Sequence, residues 1–70
     1  MFNMKVEKQL NIKDRTLLLG VPDYDAIPKV VVVDDRKINV IGTSLGVKAP
    51  FLSLEIEKTA VNLIGKTITN

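Results

Sequence analysis

Lys29-Val-Val-Val-Val-Asp-Asp-Arg-Lys-Ile-Asn-Val-Ile41 decides how the rest of this 70-residue chain is read. Valine is restricted at χ1 and fits a pleated surface better than a helix, so Val30 to Val33 predict a strand, buried on both faces. The polar quartet Asp34-Asp35-Arg36-Lys37 predicts the turn, and Ile38, Val40 and Ile41 resume as the returning strand. The stretch is therefore a β-hairpin against which the other apolar segments are placed to pack. Its charged turn is expected to fix strand register and to put Arg36 and Lys37 at a rim.

Outward from the hairpin, the pattern stays that of strands. Residues 2 to 12 alternate: Phe2, Met4, Val6, Leu10 and Ile12 are apolar, and Asn3, Lys5, Glu7, Gln9 and Asn11 are polar. A period of 2 held this long predicts a strand with one wet face. Lys8 alone breaks the inward series, which places it at a bulge, snorkelling from a rim, or blunting an exposed edge. Lys13-Asp14 predicts a tight turn into Arg15 to Val21, whose three leucines suggest burial on both faces. Gly20 and Pro22 end that run too early for a helix, and Gly20 suggests a bulge or a close backbone approach.

Pro22 to Pro28 reads as a surface loop, with Tyr24 or Ile27 tucked inward. Gly42 to Pro50 reads as a second flexible connection. Phe51 to Lys58 alternates again, with Leu52, Leu54 and Ile56 on one face. Thr59 to Asn62 is a short helical turn or a bend, and Leu63 to Ile68 predicts a last strand with Gly65 at a bulge. About six short strands and no helical period define an all-β chain, a small barrel or sandwich, with the barrel preferred. The expected core is Val6, Leu10, Ile12, Leu18, Val31, Val33, Ile38, Val40, Leu54, Ile56 and Ile64, and the aromatics Phe2 and Phe51 also read as core.

Length and composition bound the function. Residues 1–70 make one domain, and a chain of this size buries only roughly 60% of its unfolded surface, which disfavours a deep cleft. There is no cysteine and no histidine, so disulfides and thiolate zinc sites are excluded, and the commonest general base and metal ligand are missing. Nothing at the N-terminus resembles a secretory signal. No apolar run approaches the roughly 20 residues of a membrane helix, so the expectation is a cytoplasmic protein without membrane contact.

The net charge is only +2, but it is distributed unevenly. Residues 14–35 carry five Asp against Arg15 and Lys29, whereas 1–13 and 36–70 are basic.

No chemistry-bearing motif is complete. Gly65-Lys66-Thr67 matches only the tail of a phosphate-binding loop, because Ala60 stands where its first glycine belongs. Asp23, Asp25, Asp34 and Asp35 lack the glycine and terminal Glu of a calcium loop and read as turn formers. Ser44 and Ser53 have no histidine to activate them. The expectation is no enzyme, no cofactor and no metal.

Two binding classes remain. The first is a protein-interaction module acting through an exposed strand or the proline-bounded loops. The second is a single-stranded RNA-binding barrel that uses basic flanks, with Lys5, Lys8, Lys13, Arg15, Arg36, Lys37 and Lys48 as candidates and few aromatics to stack on. Lys8, Arg15, Tyr24, Arg36, Lys37 and Lys48 are the candidate partner-binding residues, and so small a core leaves a homo-oligomer open.

Met4 to Ile12, followed by Asp14-Arg15-Thr16-Leu17-Leu18-Leu19-Gly20-Val21, resembles the translation-factor β-barrel, domain 2 of elongation factor Tu and related GTPases. Val30 to Val33, Ile38 to Thr43 and Leu63 to Ile68 fall in the order that the later strands of that family take. Asp14 and Thr16 stand where the family has glycines around the arginine, and Ile27-Pro28 occupies the region of its Gly-Asp. The resemblance implies the binding side of such a barrel, which in the family touches RNA or neighbouring domains, and draws attention to Arg15.

Overall fold

The computed structural model describes residues 1–44 and 47–70. Those residues form eight strands and no helix: β1 Phe2–Lys5, β2 Lys8–Asn11, β3 Arg15–Gly20, β4 Pro22–Tyr24, β5 Val30–Val33, β6 Arg36–Thr43, β7 Leu52–Glu57 and β8 Thr67–Thr69. They pair in the order β2-β3-β7-β6-β5-β8-β1-β4, antiparallel throughout. The order is open, with β2 and β4 at its ends, where the sequence led us to expect a barrel of six. Leu45 and Gly46, within the expected 42–50 connection, lie outside the described residues.

The Lys29–Ile41 hairpin is present as β5 and β6, but its turn is shorter than expected. Val33 already pairs with Arg36 and Val32 with Lys37, so only Asp34 and Asp35 reverse the chain. Both take left-handed backbone, φ 50° and 64°, which Asp tolerates better than most side chains and which suits the twist of a two-residue hairpin. Nor is the valine run buried on both faces. Val31 and Val33 enter the core while Val30 and Val32 do not, because an antiparallel hairpin lays only one face on the core.

The two additional strands have separate causes. The first predicted strand divides at Val6–Glu7. Val6 N–H donates to Lys66 O (2.9 Å) and Val6 O accepts from Gly65 N–H (2.8 Å), whereas Glu7 N–H donates to Leu19 O (2.7 Å). The chain thus changes partners between adjacent residues. Its alternation changes phase at the same point: Phe2, Met4 and Val6 are buried, but beyond them Gln9 is half-buried, and Lys8 and Leu10 are exposed. An extra residue in a strand sends every later side chain to the opposite face. This corrects two core assignments, for Leu10 is 58% exposed and Ile12 also lies outside.

The second cause is Pro22–Tyr24, expected as loop, which pairs with β1 in the register Phe2↔Tyr24 and Met4↔Pro22. Proline is tolerated there because β4 ends the sheet order. Neither Tyr24 nor Ile27 is tucked inward; both are exposed.

β3 and β7 form the longest register, from Arg15↔Glu57 to Gly20↔Leu52. Leu18 is fully buried, and Leu17 and Leu19 only half so, one inward face rather than two. Gly20 sits where β3 meets the end of β1. A Cβ at this position would overlap Lys5 O and lie 2.9 Å from Met4 Cγ, so the close approach admits no larger residue without displacement of the backbone.

β6 pairs with β5 through Asn39 and with β7 from Val40 to Thr43, the β7 pairing carrying a register shift between Val40 and Gly42. The last strand begins only at Thr67. Leu63 to Lys66 is a turn closed by Lys66 N–H to Leu63 O (3.0 Å), with Gly65 at φ 86°.

The core is Phe2, Met4, Val6, Leu18, Val31, Val33, Ile38, Leu54, Ile56, Leu63 and Ile68, with Val40 and Leu52 packed against it. Ile64 is exposed because the turn points Leu63 inward in its place. Phe51, read as core, is 45% exposed, since it precedes β7 in the 47–51 turn. Among the described residues no helix is long and apolar enough to cross a membrane.

Candidate protein-binding face

The phase change at Val6–Glu7 determines what the far side of β2 and β3 presents. Across the Lys13–Asp14 turn, Ile12 N–H donates to Arg15 O (2.9 Å). This sets the register Lys8↔Leu19, Gln9↔Leu18, Leu10↔Leu17 and Asn11↔Thr16. Leu18 and Thr16 point into the core, so Leu17 and Leu19, with their partners Leu10 and Lys8, face the other way. On β7 their neighbours are Glu55 opposite Leu17 and Ser53 opposite Leu19. Val47 joins them from the turn before β7, in which Phe51 N–H donates to Lys48 O (3.0 Å).

The result is a shallow hollow of about 400 Å³, floored by Leu10, Leu17, Leu19, Val47 and Ser53 and bordered by Lys8 and Gln9. A second hollow shares Lys8, Leu19 and Val47 and adds Glu7, Lys48 and Phe51. A third adds Lys5 and Val21 beside Glu7 and Phe51. Together they form one apolar strip from Leu10 to Val21 with three lysines and one glutamate along it. Exposed aliphatic residues scattered singly are ordinary; here they are contiguous and have charged residues beside them.

One end of the strip is electrostatically closed. Arg15 Nη1 donates to Glu55 Oε1 (2.5 Å), its Nε to Asp14 Oδ1 (3.1 Å), and Ser44 Oγ to Glu55 Oε2 (2.8 Å). The Arg15 guanidinium, and then the Ser44 hydroxyl, hold the Glu55 carboxyl below its ordinary 4.5. Arg15 likewise lowers Asp14 and is itself raised by the two carboxylates. Arg15 thereby ties β3 to β7.

The structure brings together two of the six residues the sequence singles out. Lys8 and Lys48 border the same hollow. Tyr24 lies on β4, its ring 5.9 Å from that of Phe2, next to Asp25, which accepts from the N-terminal amine at 2.7 Å. Arg36 lines a separate hollow of about 310 Å³ with Asp34, Thr59, Val61 and Lys66, and Lys37 is exposed on β6 opposite Val32.

Leu10 was expected in the core and Leu17 and Leu19 in a strand buried on both faces, whereas Val47 was expected in a connection. The one available signal was Lys8, where the inward series fails. Among the described residues, no three His, Cys, Asp or Glu side chains are grouped to hold a metal ion, and every buried side-chain polar atom has a hydrogen-bond partner. Comparison with protein-family models, curated proteins and solved structures returned no match.

Proposed function

We propose that this chain is a non-enzymatic binding module whose β2–β3 face docks a protein partner. The observation that carries the reading is the outward turn of Leu10 against Leu17 and Leu19. It places aliphatic side chains on a surface with lysines beside them. Such a floor gives a partner's apolar residue a desolvated seat, and the rim charges steer the approach.

Single-stranded RNA finds less support as a partner. Its stacking platforms would be aromatic, and on this face only Phe51 qualifies, Phe2 being buried and Tyr24 lying on β4.

A relation to translation-factor barrels belongs to the same proposal. It is supported by the succession of alternating, leucine-rich and valine-rich strands. It is also supported by the chain continuity of both end strands, since β2 follows β1 across two residues and β4 follows β3 across one. The open order is its departure from that family.

The direct test compares proteins captured from the native host by the wild-type chain and by the Leu17→Asp and Leu10→Asp variants. Leu10 is exposed and Leu17 half-buried on the outer face, and circular dichroism checks that each variant keeps the fold. Capture of a defined protein by the wild type and its loss with both variants is expected. Equal capture by all three chains would place any interaction elsewhere.

A further inference from the structure

Resting on the protein-binding reading, we infer that the face takes an acidic segment of its partner, with an aliphatic side chain in the Leu10–Leu17–Leu19 hollow and carboxylates against Lys8 and Lys48. The charges along the strip argue for it. Among the described residues, Lys5, Lys8 and Lys48 take part in no ion pair; the bridges present join Met1 to Asp25, Arg15 to Asp14 and Glu55, and Lys66 to Asp34. Against these three lysines stand Glu7 and, at the end of the strip, the single negative charge left over where Arg15 pairs with both Asp14 and Glu55. The strip is therefore apolar with a net positive rim, and its complement is apolar with a negative one.

The alternatives fit less well. A twofold contact between two copies would set one lysine rim against the other, because such an interface is self-complementary. A lipid surface is met by apolar groups that project from a protein, whereas Leu17 and Leu19 in the hollow are half-buried and Ser53 beside them is buried.

The test uses three short fluorescein-labelled peptides that alternate Leu with Glu, with Lys or with Gln. Binding is read by anisotropy at low and moderate salt, and located by amide shifts in ¹⁵N-labelled protein. The Leu–Glu peptide is expected to bind at least about 10-fold tighter than the Leu–Lys peptide, a difference of about 1.4 kcal/mol. Its amide shifts should centre on Leu10, Leu17 and Leu19. The preference should reverse in the Lys8→Glu, Lys48→Glu double variant, in which both changed side chains are exposed.

Equal binding of all three peptides at this face would overturn the acidic preference while leaving the docking reading standing. Absence of peptide binding overturns the inference, and host capture decides the docking reading separately. Tighter binding to phosphatidylserine vesicles or to oligouridylate than to the acidic peptide would overturn it, as would self-association abolished by Leu17→Asp.

Discussion

Thr16 is fully buried on β3, and its hydroxyl joins three parts of the chain. Oγ1 donates to Asn11 Oδ1 (2.8 Å) and accepts from Thr59 N–H (3.1 Å), so one side chain ties β2, β3 and the segment after β7. Replacing it by Val preserves shape but strands a backbone donor and an amide oxygen in a poorly solvated place. The Thr16→Val variant should lose about 1–3 kcal/mol, read as a lower urea midpoint with unchanged slope; an unchanged midpoint would mean that Thr59 finds water. Gln9 plays a similar part, its side chain accepting from Leu63 N–H (2.7 Å) and donating to Val61 O (2.9 Å). Neither role was legible in the sequence. A threonine in an apolar run and a glutamine in an alternating one look like wet-face residues, and which backbone groups they satisfy depends on a segment over 40 residues away. Gly20 was readable as a close approach because only one side chain, hydrogen, permits it.

At the scale of elements, the β3–β7 ladder carries the charged group that titrates. Glu55 has a folded-state pKa below its ordinary 4.5, chiefly because of Arg15 and then Ser44. A depressed carboxyl contributes stability that is present above the unfolded value and is lost as pH falls through the folded one. The wild type should therefore unfold at a higher temperature than Glu55→Gln at pH 7. The gap should begin to narrow as pH falls below about 4, where the unfolded-state carboxyl protonates, and close once pH lies below the folded value. Thermal melts at pH 7 and pH 3 check this, and a gap as large at pH 3 as at pH 7 would assign the loss to packing instead. The pair is partly exposed, the Glu55 side chain at 18%, so solvent limits its weight. Most strands themselves were legible, since β-branched runs and alternation need no tertiary information. Their ends and phase were less so: β4 was hidden by its proline, and β8 was shortened by the turn at Gly65. The second half of the first strand was displaced by one residue at Val6–Glu7, because partner exchange between Lys66 and Leu19 is a property of the assembled sheet.

For the molecule as a whole, that one-residue displacement separates a core from a surface. Had the alternation of residues 2 to 12 continued unbroken, Leu10 and Ile12 would have joined Val6 inside, and β2 would present no apolar residue to a partner. With the phase changed, Leu10 stands outside against Leu17 in a hollow bordered by Lys8, and Lys48 borders the adjoining hollow. Of the candidate face, then, the sequence offered its charges and one misfit lysine, while Leu10 was assigned to the core and Leu17 and Leu19 to a strand buried on both faces. The protein has no cysteine, which makes the central claim accessible to thiol labelling without background. Single Leu10→Cys and Met4→Cys variants, treated with a maleimide under native conditions, measure the two positions directly. The phase change predicts that the thiol at position 10 is labelled nearly as fast as in urea while the one at position 4 is strongly protected. Equal protection at both positions would mean an unbroken strand with Leu10 in the core, and the binding face proposed here would not exist.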